Sequence, residues 1–208
     1  MNPAASIVLE TGLHGKNLSK GQLRQKKIIE SGIDLFYRDG LNSSKLVDIA
    51  EKAEATRTII NHYYKNKEGL FIACITYIRE DFQRRAIQGV DKLTKPEEIL
   101  ESYLSNTISW GLEKPKYSSL WIYFFYRVSS DIRLKKLNTQ FVETGTERIT
   151  YFLSQTGQTG DLSRKAHLLQ NLLIGFIIGN ATEINKSKKK EIVEKQTEEC
   201  LEFLKLEL

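Results

Sequence analysis

The sequence predicts an all-α protein: an N-terminal three-helix unit containing a helix-turn-helix, followed by a larger C-terminal helical bundle. Three observations predict it. Apolar residues recur at three- and four-residue spacing along most of the chain, as in Phe71, Ile75, Ile78 and Phe82, the period of a helix with one buried side. Proline occurs only 3 times in 208 residues and valine is scarce, which argues against an all-β chain. Lys45 to Leu70 divides into three helical pieces, parted at Glu54-Ala55 and before Asn66, the spacing of a helix-turn-helix.

Residues 1–18 lack periodicity and read as a flexible N-terminal arm, whose Lys16 and neighbouring Lys20 either track DNA as basic arms do or have no role. Ser19-Lys20-Gly21-Gln22 has capping-box spacing and opens a helix to about Arg38. Asp39-Gly40 stops it, and Ser31-Gly32 is small enough for close packing. Ser43 or Ser44 is placed to cap a short second helix, apolar at Leu46, Ile49, Ala50 and Ala53. Thr56 caps the third. Asn66 opens a long fourth, to about Gln88, which alone leaves the first unit and enters the second. Pro96-Glu97-Glu98 starts a fifth, to about Leu112, with Pro and acids where a helix N-terminus favours them. After Pro115 comes the most aromatic stretch: Tyr117, Trp121, Tyr123, Phe124, Phe125 and Tyr126. Further helices span about 132–154, 162–185 and 188–206.

The third helix sorts into two sides. At about 100° per residue, Ile60, Tyr63 and Tyr64 share one arc and can pack inward. Arg57, Thr58, Asn61 and His62 share the other. Such a row is either a solvated face or a reading surface. Arg suits guanine edges or phosphate, Asn suits adenine, and Thr suits either. Basic Lys45, Lys65 and Lys67 alongside favour DNA contact.

From Arg24 to Phe71 the chain resembles the N-terminal domain of the tetracycline-repressor-type (TetR) family of bacterial transcription regulators. Ile28-Ile29, Ser31-Gly32, Leu35-Phe36 and Gly40 match its first helix. Val47-Asp48-Ile49-Ala50 with Ala53 matches its second, and Tyr64-Lys65-Asn66-Lys67-Glu68 with Leu70 matches its end. The chain departs from the pattern at Glu54, where the family usually has Gly. A left-handed backbone there would be strained for any other residue. The family's phosphate-contacting Tyr falls on Asn61 and its His on Tyr63, whose hydroxyl can still donate, while Lys67 matches the phosphate-contacting Lys. The DNA-contact residues expected are therefore Lys45, Thr56, Arg57, Thr58, Asn61, His62, Tyr63 and Lys67.

The formal net charge is +5, and more than half of it falls in residues 1–70, with eleven Lys or Arg against eight Asp or Glu. That concentration suits a polyanionic partner, double-stranded DNA, at the N-terminal end. Cys74 and Cys200, the only cysteines, fit two free thiols in a reducing cytosol; a redox pair is the alternative. No secretory pattern or membrane-length apolar run is seen, so a cytoplasmic protein without membrane contact is expected. His14, His62 and His167 are widely separated. No zinc spacing, glycine-rich phosphate loop or nucleophile-base motif occurs, so neither cofactor, metal nor catalytic residue is expected.

The last two helices carry more apolar surface than one bundle face needs, above all between Leu168 and Ile178. The resemblance implies that they pair with a second copy as a four-helix bundle, and the apolar excess asks for such a partner independently. The homodimer interface is expected at Leu169, Leu173, Phe176, Ile177, Val193, Leu201 and Leu204. Tyr77, Tyr103, Trp110, Trp121, Phe124 and Phe125 are expected to line a site for a small, largely apolar effector, the alternative being plain core. Residues 1–18, 19–66 and 67–208 then divide as arm, DNA-binding domain, and ligand-binding and dimerisation domain. The function expected is a ligand-responsive repressor on a near-palindromic operator. An adaptor of the same fold, controlled by a protein partner, is the alternative.

Overall fold

The structure, a computed structural model, describes residues 11–181 and 186–205. Among these it has nine α-helices, two short 3-10 turns and no strand. Helices α1 (Lys20–Ser43), α2 (Leu46–Lys52) and α3 (Arg57–Tyr64) form the N-terminal unit, and α4 (Lys67–Ala86) leads out of it. The remainder is α5 (Pro96–Glu113), α6 (Pro115–Val128), α7 (Ile132–Gln155), α8 (Leu162–Ala181) and α9 (Lys189–Phe203). The expected ends of the last two helices, at Asn185 and Leu206, fall outside the described residues.

Helix α1 starts as its sequence asks. Ser19 Oγ accepts from the Gln22 amide at 3.2 Å, and Gln22 Oε1 accepts from the Ser19 amide at 3.0 Å, so two orphan donors are satisfied reciprocally. It does not stop at Arg38. Gly40 takes a left-handed φ of 76°, kinks the helix, and one more turn follows to Ser43. Ser44 does not cap α2: its hydroxyl donates backward to the carbonyls of Leu35 and Gly40, at 3.1 and 2.7 Å. Lys45 holds the cap position without a side-chain bond. Thr56 and Asn66 do cap α3 and α4, accepting from Ile59 N at 3.3 Å and Gly69 N at 2.9 Å.

One apolar cluster runs from Ile28, Ile33 and Phe36 of α1 through Ile49 and Ile60 to Phe71, Ile75 and Ile78 of α4. It continues without a break to Trp110, Trp121 and Phe124. A second, around Leu100, Leu104, Phe152, Leu169 and Cys200, fills the far end of the bundle. Cys74 sits in the first cluster and Cys200 in the second, each a buried free thiol. Burial pushes both thiols up, Cys200 to about 12, the behaviour of structural cysteines. Among the described residues no helix is long and apolar enough to cross a membrane.

The junction of α3 and α4 depends on Gly69. A Cβ there would lie 2.0 Å from the Tyr64 carbonyl oxygen, a backbone atom with no room to give. Gly69→Ala is expected to lower stability by about 1–3 kcal/mol, the usual cost of overpacking, read as a lower urea midpoint with an unchanged slope. An unshifted midpoint would mean the junction is looser than its geometry.

Part of the segment expected to be a loose arm is packed, Thr11–His14, while Gly15, Lys16 and Asn17 are exposed. Leu13 is 1% exposed and belongs to the first cluster. Residues 1–10 lie outside the described residues.

Candidate nucleic-acid interface

Helix α3 is anchored by Ile60, which is fully buried, and by Tyr64, whose hydroxyl donates to the Gln25 carbonyl of α1 at 3.3 Å. With that side fixed, Arg57, Thr58, Asn61 and His62 all stand exposed on the other, with Thr56 and Lys45 beside them. Tyr63 is half-buried, edge-on to His62 at 5.4 Å. Among the described residues no hydrogen bond or ion pair engages the Arg57, Thr58 or Asn61 side chains, so their donors and acceptors face outward. Lys67 is arranged differently. Its ammonium donates to the carbonyls of Asn42 and Ser44 at 2.9 and 3.1 Å, closing the α1–α2 turn, which leaves one N–H for any other acceptor.

Two non-glycine residues hold positive φ among the described residues, Glu54 at 50° and Lys65 at 65°, one on each flank of α3. Strain of this kind persists only where surrounding packing dictates it. At Glu54 the carboxylate meets Lys27 at 2.7 Å, a surface pair of little worth. The sequence pointed to Glu54; Lys65 carries no such signal.

Polar ties bind this unit to the bundle. Asp34 of α1 meets Lys52 of α2 at 2.9 Å and Lys116 of α6 at 2.5 Å. Burial alone would raise the Asp34 carboxyl, but hydrogen bonds from Lys116 and Lys52 outweigh it and hold it below the usual range. Arg127 at the end of α6 donates to Glu68 in the first turn of α4 at 3.3 Å.

The expected aromatic site is partly assembled. Trp121 lies 4.8 Å from Phe141, 5.6 Å from Phe124, 6.0 Å from Phe125 and 6.4 Å from Trp110. Tyr103, Trp110 and Trp121 border a void of about 20 Å³, room for one water and not for the small apolar effector expected among them. Phe124 is sealed in core, and Phe125 packs behind Trp121 without bordering the void. Tyr77 is elsewhere: its hydroxyl donates to Glu30 of α1 at 3.1 Å. The sequence reading missed Phe82, Thr107, Phe141 and Gln170, which do border the void. Gln170 interrupts an apolar run, and its Oε1 accepts from Thr146 at 2.6 Å; a buried amide in such a run was the available signal. An open hollow of about 400 Å³ lies between Val90, Pro96, Ile99 and Tyr151.

Four residues expected at a dimer interface, Leu169, Leu173, Ile177 and Leu204, are buried in the subunit's own core. Phe176, Val193 and Leu201 are half-buried. The outward side of α8 instead presents Ile178, 39% exposed, between Gly175 and Gly179, where an added Cβ would meet nothing.

Residues 28–74 match the profile of the bacterial regulatory proteins of the tetR family. The HTH-type transcriptional regulator BetI of Vibrio atlanticus (strain LGP32) is 21% identical over 188 residues, which cover 87% of this chain and 93% of that protein. A solved transcriptional regulator from Pseudomonas aeruginosa PAO1 superposes with a TM-score of 0.76 at 18% identity, over 96% of each chain. A SmeT–triclosan complex superposes at 0.69 and 16% identity, over 86% of this chain and 90% of that one. Structural likeness at such identity carries the fold and nothing finer.

Proposed function

We propose that this chain, a transcriptional regulator whose residues 28–74 belong to the tetR family, is a homodimeric cytoplasmic repressor released from a near-palindromic operator by a small, largely apolar ligand. The observation that carries the DNA reading is the exposed row Arg57, Thr58, Asn61 and His62 on a helix whose other side is pinned by Ile60. Residues 19–66 act as the DNA-binding domain and 67–208 as the ligand-binding and dimerisation domain. Two copies of α3 enter successive major grooves roughly 34–36 Å apart. Arg57 and Asn61 read base edges; Lys45, Thr56, Thr58, His62, Tyr63 and Lys67 serve the backbone and neighbouring bases. Triclosan in the SmeT complex supports an apolar effector, and Tyr103, Trp110 and Trp121, which border the void, are the residues that would hold it.

The adaptor reading, with a protein partner in place of a small molecule, is favoured by one observation: the void is about 20 Å³. Occupancy of that void by a small molecule therefore requires side chains or helices to move.

Selection from a random duplex library tests the DNA reading. The wild type is expected to enrich two inverted half-sites, and Arg57→Ala to weaken binding to them by about 1–3 kcal/mol while relaxing one base position. Equal loss on enriched and random DNA would make Arg57 a phosphate contact. Failure to enrich any paired site would overturn the reading.

A further inference from the structure

Thr11 to His14 pack against α4 at Tyr77 and Glu80, and Leu13 joins the first apolar cluster there. Thr11 donates from both its amide and its hydroxyl to the two carboxylate oxygens of Glu80, and that carboxylate is fully buried. Leu13 beside it is sealed. The His14 ring stacks on Tyr77 at 4.0 Å, its Nε2 lies 3.0 Å from the Tyr77 carbonyl and 3.9 Å from Glu80. Tyr77 in turn donates to Glu30 of α1. A buried carboxylate is tolerated only with such donors, so Glu80 makes sense only with the segment in place.

The grip falls at an informative point on α4. One end of that helix abuts α3 through Gly69, and the other carries Phe82 to the aromatic void. Tyr77 and Glu80 lie between. We propose that Thr11–His14 is a strap that holds α4 in its closed, DNA-competent orientation, so that any effector must displace α4 against it. This rests on the DNA-binding reading and adds its regulation. Every strap contact is made while the void is nearly filled, so the strap stabilises the closed form. By linkage, what favours the closed form favours DNA and opposes an effector that needs more room. Thr11, Leu13 and Glu80 are then positioning residues that touch neither DNA nor ligand.

Three full-length variants test this: Thr11→Val, Leu13→Ala and, as the conservative control, Thr11→Ser. Two readouts are taken well below the melting transition: amide exchange of α4 and affinity for the duplex that the wild type enriches. Thr11→Val and Leu13→Ala are expected to speed exchange over residues 76–84 about tenfold, leave α5 and α8 unchanged, and weaken the duplex about tenfold. Thr11→Ser is expected to match the wild type in both. Unchanged affinity overturns the proposal whatever exchange shows, and so does acceleration spread equally over α5, α7 and α8. If the wild type enriches no duplex, the DNA reading has failed, and exchange alone decides the strap: acceleration confined to α4 supports it, and anything else overturns it.

Discussion

Ile178→Asp is expected to convert the dimer into monomers that still fold. The residue lies on the outward side of α8, 39% exposed in one subunit, between two glycines that leave the backbone open to a second helix. Small residues at a spacing of four let helix backbones approach closely, and an isologous interface places the same patch on both copies. One substitution therefore buries two unpaired carboxylates, each costing several kcal/mol. The dissociation constant should rise at least about a thousandfold. Sedimentation velocity at micromolar concentration should show wild-type dimer and variant monomer, with the same helical circular dichroism. Affinity for a two-half-site duplex should fall with it, since each α3 then binds alone. Leu173→Asp makes the contrast: that side chain is 3% exposed within the subunit, so its charge should unfold the protein rather than part the dimer. A stable wild-type monomer, or an Ile178→Asp dimer of wild-type affinity, would remove this interface.

The contrast between Ile178 and Leu173 also shows where sequence reasoning stops. A helical period identifies which residues share a side, and it placed Phe71, Ile75, Ile78 and Phe82 correctly on the buried side of α4. In an apolar run such as Leu168–Ile178 nearly every side looks buried, and period alone cannot separate the subunit's own core from a partner's. Caps were readable at Ser19, Thr56 and Asn66 because each needs only residues three positions apart. At Ser44 the hydroxyl turned back to α1 instead, a choice set by the Gly40 kink. The row Arg57, Thr58, Asn61 and His62 emerged exposed as read. The Lys67 ties to Asn42 and Ser44 did not follow from pattern, because they join residues more than twenty apart. The same limit hid the strap: nothing in residues 11–14 names Glu80 as their partner.

Phe82→Ala is expected to lower stability by about 3–5 kcal/mol, the range for deleting a buried phenyl ring, and to open the aromatic core to a small apolar molecule. Phe82 stands edge-on to Trp110 at 5.1 Å and within 6.4 Å of Trp121 and 5.7 Å of Phe141. Its loss therefore leaves a hollow walled by two indoles and a phenyl ring, next to the void that already exists. The melting midpoint should drop roughly 10 °C. An apolar cavity of this kind stays dry and takes up benzene, so benzene should raise the midpoint of Phe82→Ala and leave the wild type unmoved. Tryptophan fluorescence should follow occupancy, since Trp110 and Trp121 are the only tryptophans and both border the site. The variant also separates the two functional readings. Phe82 belongs to α4, so a molecule that fills the cavity and prefers a different tilt of that helix must change DNA affinity, by the same factor that DNA changes its own binding. Coupling of about 1–3 kcal/mol would appear as a five- to 150-fold loss of duplex affinity on saturation with benzene. Benzene that stabilises the variant and quenches its tryptophans while duplex affinity stays fixed would uncouple the aromatic core from α3. The effector reading would then fall, and control by a protein partner would take its place.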